Sequence, residues 1–173
     1  MNEYILGILW ALGRYTEGHY YLRHKDETIL ELVRDHYKTD AKVFKLKNKH
    51  CLKLAGKYFD MNTLIDYGWS GRNEHIRPYP QGIASDKEFI RGYFLVHGRS
   101  GQIKLTHKSG RVQNQKRIRI YGNETLIEKI NNIISTELDI MPKKLERTST
   151  INSVVLGYYG KDDVEKLAAW LMI

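Results

Sequence analysis

Positive charge in this 173-residue chain is concentrated in two stretches that contain no acidic residue. Five lysines lie between Lys42 and Lys53, and seven Lys or Arg residues lie between Arg99 and Arg119. Lysine and arginine neutralise phosphate groups, and the amide and arginine side chains of the second stretch are able to reach the edges of bases. The formal net charge is +8 and the pI is about 9.4, so the composition also predicts an anionic partner, most often a nucleic acid.

Both stretches alternate between apolar and polar residues, as β-hairpins with one buried face do. We expect the apolar residues to face a helical layer and the others to form an open basic face. The predicted apolar residues are Phe44, Leu46, Leu52, Leu54, Ile103, Leu105, Ile118 and Ile120. The predicted DNA contacts are Lys45, Lys47, Lys53, Gln102, Lys104, Arg117 and Arg119, with Arg14, Tyr21 and Arg23 of an earlier hairpin as further candidates. Because the same face recurs without acidic residues, we favour a duplex DNA groove over an ordinary solvated surface.

Two apolar runs are expected to hold these hairpins in place. They span residues 4–13 and 89–98, and the six-residue spacing from Gly7 to Gly13 is repeated from Gly92 to Gly98. A glycine inside a helix costs about 1 kcal/mol relative to alanine, so the repeated position predicts two helices that cross where neither has a side chain. We further predict that Gly13 and Gly98 end their helices in the left-handed conformation.

The rest of the chain follows the same order twice: a helix, a hairpin, a helix, a hairpin and a helix. The predicted fold class is therefore α+β, with one half at residues 1–68, a linker at 69–85 and a second half at 86–173. Asp26, Asn123 and Asp86 are expected to cap helices at their N-termini. A helix over residues 57–67 is expected to turn Phe59, Leu64 and Ile65 inward.

Several other classes of site find no support in the sequence. Cys51 is the single cysteine, so no disulfide framework exists and Cys51 is expected to pack as a small apolar residue. The histidines show no paired metal-ligand spacing, and residues 98–101 lack the lysine of a phosphate-binding loop. The apolar run that ends at Gly13 is too short to span a membrane, which predicts a soluble, cytoplasmic protein with no membrane partner.

The two glycine helices, the segment 64–72 (LIDYGWSGR) and the segment 89–94 (FIRGYF) resemble the LAGLIDADG homing endonucleases in their single-chain, two-motif form. The resemblance covers nearly the whole chain. It implies a pseudo-twofold αββαββα repeat, in which the motif helices pack at the centre and two antiparallel sheets form a saddle over the DNA major groove. In active members, an acid one residue before the final glycine of each motif binds a divalent metal, such as Mg²⁺, next to the scissile phosphates.

This sequence departs from the family pattern at both acid positions, which are Leu12 and His97. Leucine has no ligand atom, and histidine is a poor ligand for Mg²⁺. The resemblance therefore implies a scaffold without its chemistry. We expect no metal cofactor and no catalytic residue, and Gly7 and Gly92 remain as residues of the helix interface.

Three functions follow from these features. The first is a monomeric, non-cleaving protein that binds double-stranded DNA in a regulatory role, as a repressor, an activator or a replication factor. The second is an active Mg²⁺-dependent endonuclease with displaced ligands such as Glu17 and His97. The third is a protein-interaction or RNA-maturase module, in which exposed aromatic residues stack on bases. The candidate aromatic residues are Tyr15, Tyr20, Tyr21, Tyr158 and Tyr159, although most of them are expected to pack against helices.

Overall fold

A computed structural model of the chain describes residues 2–58, 61–69, 76–106, 110, 112–150 and 152–173. These residues form two compact units, Met1–Val96 and His97–Ile173. The sequence-based division begins the second half at residue 86, whereas the compact units divide after the second glycine helix. That helix therefore belongs with the first unit by its contacts, although it opens the second copy of the repeat.

The first unit contains a four-stranded antiparallel sheet, sheet A, with strand order β1-β2-β4-β3. Helices α1 and α2 pack on one side of sheet A. In chain order the elements are α1 (Glu3–Leu12), β1 (Arg14–Thr16), β2 (His19–His24), α2 (Glu27–His36), β3 (Val43–Leu46), β4 (Lys49–Ala55), a 3₁₀ turn (Gly56–Tyr58), α3 (Met61–Asp66) and α4 (Asp86–His97).

The second unit repeats this arrangement in a second antiparallel sheet, sheet B, with strand order β5-β6-β8-β7. Its elements are β5 (Gly98–Thr106), β6 (Val112–Gly122), α5 (Glu124–Leu138), β7 (Glu146–Arg147), β8 (Val154–Tyr158) and α6 (Lys161–Leu171). In each sheet the second strand of the first hairpin pairs with the second strand of the other hairpin, β2 with β4 and β6 with β8. The predicted α+β repeat of helix, hairpin, helix, hairpin and helix is therefore confirmed.

Helices α1 and α4 cross at their glycines, as predicted. A Cβ atom added to Gly7 would overlap the carbonyl oxygen of Phe89, and one added to Gly92 would overlap the carbonyl oxygen of Tyr4. The backbones therefore touch directly, and the ring of Phe89 meets the edge of Trp10 at 6.0 Å between centroids. Trp10 is 1% exposed, so this crossing lies in the core of the first unit.

The predicted left-handed glycines at the ends of these helices are wrong. Gly13 is extended, with φ −69° and ψ 130°, and Gly98 is the first residue of β5. Each helix passes directly into a strand, and a strand needs extended backbone rather than the left-handed reversal. Asp26 and Asn123 do cap their helices, but at α4 the Ser85 hydroxyl accepts the capping hydrogen bond from the Glu88 amide at 3.3 Å.

The predicted inward residues of the third helix are only partly right. Leu64 is buried, whereas Ile65 is 57% exposed, because adjacent residues of a helix point in different directions and the six-residue α3 buries only one side. Phe59 lies outside the described residues. No helix in the described ranges has the length and apolar character needed to cross a membrane.

Candidate nucleic-acid interface

Strand pairing assigns every side chain of sheet A to one of two faces. Tyr20, Leu22, Leu52 and Leu54 have no exposed surface and lie on the side covered by α1 and α2. We call the opposite side the first outer face. It carries Arg14, Thr16, His19, Tyr21, Arg23, Phe44, Leu46, Lys49, Cys51, Lys53 and Ala55.

The first outer face is basic. Arg14, Arg23, Lys49 and Lys53 are exposed, and no Asp or Glu lies among the described strand residues of this face. Arg14 pairs across the strands with Tyr21, and the Nζ atom of Lys53 lies 5.4 Å from the centre of the Tyr21 ring. Attraction to the Tyr21 ring restricts the position of the Lys53 ammonium group, which remains charged and exposed. The face therefore offers positioned cations that no described acidic strand residue neutralises.

The predicted face of strand β3 is wrong. Leu46 is opposite Lys49, Phe44 is opposite Cys51, and Lys45 is opposite His50. Residues directly opposite in an antiparallel pair share a face, so Phe44 and Leu46 lie on the first outer face and Lys45 lies on the helix side. Alternation within one strand defines two faces but does not say which of them joins which face of the next strand.

The length of the turn between Leu46 and Lys49 determines which faces of β3 and β4 coincide. Only Lys47 and Asn48 separate the paired residues Leu46 and Lys49. A two-residue loop fixes the register of a hairpin, and it brings Lys49 rather than Lys45 onto the first outer face. Lys47 itself occupies this turn, exposed and with φ 56°.

The second outer face is defined in the same way on sheet B. Ile118, Ile120, Leu156 and Tyr158 are buried on the side of α5 and α6. The opposite side carries Arg99, Gly101, Ile103, Leu105, Gln113, Gln115, Arg117, Arg119, Tyr121, Glu146, Val155 and Gly157. Three arginines and two glutamines therefore share one face of the long β5–β6 hairpin.

Tyr159, just after β8, is hydrogen-bonded to one residue of β6 and one of β7. Its carbonyl oxygen accepts a hydrogen bond from the Gln115 amide at 2.6 Å, and its hydroxyl donates to Glu146 at 3.1 Å. A side chain at Gly157 would collide with the Tyr159 ring, at 2.7 Å from its nearest atoms, so the glycine makes room for the ring. Burial and then the Glu146 carboxylate raise the pKa of Tyr159, while Arg119 and Arg117 lower it.

The second outer face also contains an acidic residue, Glu146, which is hydrogen-bonded to Tyr159. Glu146 is the only carboxylate among the described strand residues of that face, and it accepts the Tyr159 hydrogen bond. The guanidinium carbon of Arg119 lies 5.4 Å from the centre of the Tyr121 ring, and Arg119 is opposite Arg99 across the strands. Arg99, Arg117 and Arg119 therefore bring three positive charges to a face with one carboxylate among its described strand residues, which favours an anionic partner.

The expected faces of β5 are exchanged. Gln102 is opposite Lys116 and Ile103 is opposite Gln115, so Ile103 and Leu105 share the face of Arg117 and Arg119. Gln102 and Lys104 fall on the side of Ile118 and Ile120 instead. Both remain exposed, because the hairpin extends past the helices at this end. Their role as DNA contacts stays a prediction.

At the end of α1, the place of a motif carboxylate is taken by Leu12, and a buried arginine lies alongside. The guanidinium of Arg77 donates to the carbonyl oxygens of Trp10 and Gly13, and it stacks on the Trp69 ring with 4.6 Å to the centroid. Leucine supplies no ligand, and a cation bound to these carbonyls disfavours a second cation there. The residues at this helix end do not fit a divalent metal.

Glu17 and His97, the other proposed ligands, belong to separate elements of the chain. Glu17 is exposed in the β1–β2 turn with φ 51°, and its carbonyl oxygen lies 2.9 Å from Nδ1 of His19. His97 is the last residue of α4. Within the described ranges, no group of three or more His, Cys, Asp or Glu residues is arranged to hold a metal ion.

The tyrosines proposed as stacking platforms divide into two sets. Tyr20 and Tyr158 are fully buried, and Tyr15 packs on Tyr20 with 5.1 Å between ring centroids. Tyr21 and Tyr159 are partly exposed, and only Tyr21 belongs to a strand of an outer face. Most of these rings therefore belong to the packing of the sheets.

The arrangement of helices and strands in this chain resembles that of proteins of known structure. It is similar to meganuclease I-SmaMI bound to uncleaveable DNA, with a TM-score of 0.70 and 12% identity over 99% of this chain and 83% of that one. The chain has the LAGLIDADG homing-endonuclease fold. The LAGLIDADG homing endonuclease I-LtrWI bound to target DNA gives a TM-score of 0.66 and 12% identity, over 99% of this chain and 82% of that one.

The similarity to LAGLIDADG proteins is one of structure. No protein-family model matches the sequence, and no curated protein matches it. At 12% identity the shared property is the fold, and the fold alone does not determine whether this chain binds or cuts DNA.

Proposed function

We propose that this protein binds double-stranded DNA in a sequence-dependent manner through the two outer faces and does not cleave it. The observation that carries the proposal is the presence of the same feature on both sheets: outward-facing cations that outnumber the acids among the described strand residues of the same face. The exposed Arg14, Arg23, Lys49 and Lys53 supply it on sheet A, and the exposed Arg99 with the half-buried Arg117 and Arg119 supplies it on sheet B. Phosphate contacts by such residues dominate affinity for DNA.

The arginines and the exposed Gln113 of the second outer face support recognition of sequence as well as charge. Arginine binds the O6 and N7 atoms of guanine, and glutamine binds the N6 and N7 atoms of adenine, in the major groove. A two-stranded β-ribbon is of a size that enters this groove. The proteins of similar fold named above are bound to DNA, which makes a duplex a better candidate than single-stranded RNA.

Leu12 and Arg77 support binding without cleavage. Hydrolysis of a phosphodiester by metal ions needs carboxylates that fix the metals next to the phosphate. The first motif offers a leucine and a bound guanidinium at this place, and the second offers His97. A protein that binds a DNA site and does not cleave it can block or recruit other proteins there. We therefore propose a regulatory role for the monomer.

Duplex binding is tested by selecting sequences from a random duplex pool with the full-length protein and measuring the affinity of those recovered. We expect a defined consensus and at least a tenfold loss of affinity for Arg117→Ala. Lys129→Ala, an exposed lysine on the helix side of the same unit, is the matched control and is expected to leave affinity unchanged. Equal losses for both variants would contradict a role for the outer face.

Cleavage is tested on the same recovered duplexes with Mg²⁺ or Mn²⁺. We expect intact DNA after prolonged incubation, and a single bound protein per duplex by gel filtration with light scattering. Specific cutting that His97→Ala or Glu17→Ala abolishes would instead support the displaced-ligand endonuclease.

A further inference from the structure

The first outer face contains two exposed apolar side chains where cations are otherwise dominant. Phe44 is 46% exposed and Leu46 is 45% exposed, and both project from the edge strand β3. They are next-but-one neighbours on one strand, so they stand side by side on the same face. Single exposed apolar residues need no explanation, but an adjacent pair on a candidate binding face does.

The surroundings of the pair indicate what would cover it. Phe44 is opposite the buried Cys51, which is in turn opposite Arg23, and Leu46 is opposite Lys49. The patch is thus apolar at its centre with cations at its margin, and the strands of this face carry no amide side chain. A protein partner with an apolar surface would leave Arg23 and Lys49 without anionic partners. A DNA groove supplies phosphates for those cations.

Within duplex DNA, one chemical group matches the centre of the patch. The major groove presents donors and acceptors at every base pair, and its only apolar group is the 5-methyl of thymine. Phenyl and isobutyl side chains have no hydrogen-bonding atoms, so opposite any other base edge they would leave polar atoms without partners. We propose that Phe44 and Leu46 recognise thymine methyl groups and so make the sequence read by the first outer face A·T-rich.

This inference rests on the proposed function and adds a specificity that the cations alone do not provide. Lysine and arginine at the margin fix the protein on the phosphates, and the apolar pair discriminates between bases. The first outer face then selects sequence by methyl contact without any amide side chain, whereas the second combines arginines and glutamines with its own apolar neighbours, Ile103 and Leu105.

The test compares thymine with deoxyuridine, which differs only in lacking the methyl group. Duplexes selected by the full-length protein are resynthesised with deoxyuridine at each conserved thymine in turn, and the dissociation constants are measured. We expect uracil to weaken binding about fourfold at each contacted position, the value for removing one methyl group from an apolar contact. Phe44→Ala should bind the thymine duplex more weakly and should no longer distinguish thymine from uracil at one position.

Leu46→Ala and Leu32→Ala form a matched pair, because both leucines are 45% exposed but Leu32 lies on helix α2. Leu46→Ala should lose discrimination at a position next to that of Phe44, and Leu32→Ala should keep it everywhere. Thermal denaturation confirms that each variant is folded, since all three side chains lie at the surface.

The other outcomes overturn the inference in distinguishable ways. Duplex binding that is indifferent to uracil removes the methyl contact but leaves the proposed function intact. Uracil-insensitive binding with strong bending of the DNA would assign Phe44 as a wedge between bases instead. Failure to select any duplex removes both this inference and the proposed function.

Discussion

Arg77 is a charged residue with no exposed surface, which is rare unless the charge is fully satisfied. Its guanidinium bridges the carbonyl oxygens of Trp10 and Gly13 and lies on the Trp69 ring. Carbonyls at the end of a helix carry partial negative charge and have no partner within the helix. A single side chain from a segment predicted as linker thus completes the end of α1.

Replacing Arg77 with methionine should lower the free energy of unfolding by about 2–4 kcal/mol, because charged hydrogen bonds are lost and buried carbonyls are left without partners. Urea denaturation followed by tryptophan fluorescence measures it. Arg14→Met, at an exposed arginine, should change the free energy by less than about 0.5 kcal/mol. If Arg77→Met is as stable as Arg14→Met, the bridge does not stabilise α1.

Tyr37 provides a second prediction for a single residue. Burial raises the pKa of Tyr37 to about 12, from an ordinary value of 10.0. A phenol with a raised pKa in the folded state contributes stability below pH 10, where both states are neutral, and this contribution is lost as the pH rises through 12. Between pH 10 and 12 the wild type should therefore lose about 1–2 kcal/mol more stability than Tyr37→Phe. Parallel losses for the two proteins, measured by urea denaturation at several pH values, would contradict the burial of a neutral phenol.

Among the elements of the fold, the crossing of α1 and α4 depends most strictly on residue type. Gly7 and Gly92 meet backbone atoms of the opposite helix, which cannot move aside as the end of a long side chain can. The crossing could be predicted from sequence because glycine in a helix is costly, so its recurrence at one position demands a reason. The residue type at Gly7 and Gly92 was therefore enough to predict the contact between the two helices.

Alanine at Gly7 or Gly92 should destabilise the first unit by at least about 2 kcal/mol. The forced separation of two packed helices outweighs the gain of about 1 kcal/mol in helix propensity. Gly101→Ala is the control, because no atom lies within 4 Å of the added methyl group and its φ is not positive. A loss for Gly101→Ala equal to that for Gly92→Ala would mean that close packing is not the cause.

Strand register marks the limit of what the sequence alone could define. The alternation within β3, β5 and β6 was correctly recognised, but the partner faces of β3 and β5 were exchanged. A shift of one residue in pairing moves a whole set of side chains across the sheet, and alternation looks identical before and after the shift. Arg117 and Arg119 were assigned to the correct face because their neighbours Ile118 and Ile120 are buried. Phe44 and Leu46 are apolar yet exposed, so their type misled the assignment.

For the whole molecule, the proposed function makes DNA affinity an electrostatic property of both outer faces. Each phosphate contact releases condensed counterions, so the logarithm of the association constant falls linearly with the logarithm of salt concentration, with a slope of about −0.9 per contact. Seven cations face outward on the two sheets: Arg14, Arg23, Lys49, Lys53, Arg99, Arg117 and Arg119. If between half and all of them contact phosphate, the slope lies between about −3 and −6.

Lys53→Ala should reduce the magnitude of this slope by about one and weaken binding to all duplexes alike, because a phosphate contact carries no sequence information. Lys45→Ala and Lys49→Ala separate the two registers of β3: the observed pairing predicts that Lys49→Ala changes the slope more than Lys45→Ala does. Fluorescence anisotropy from 50 to 300 mM salt measures all three on the same duplex, with Lys129→Ala as the control on helix α5. A slope near zero in the wild type, or an equal change for Lys129→Ala, would show that the outer faces do not bind the phosphate backbone.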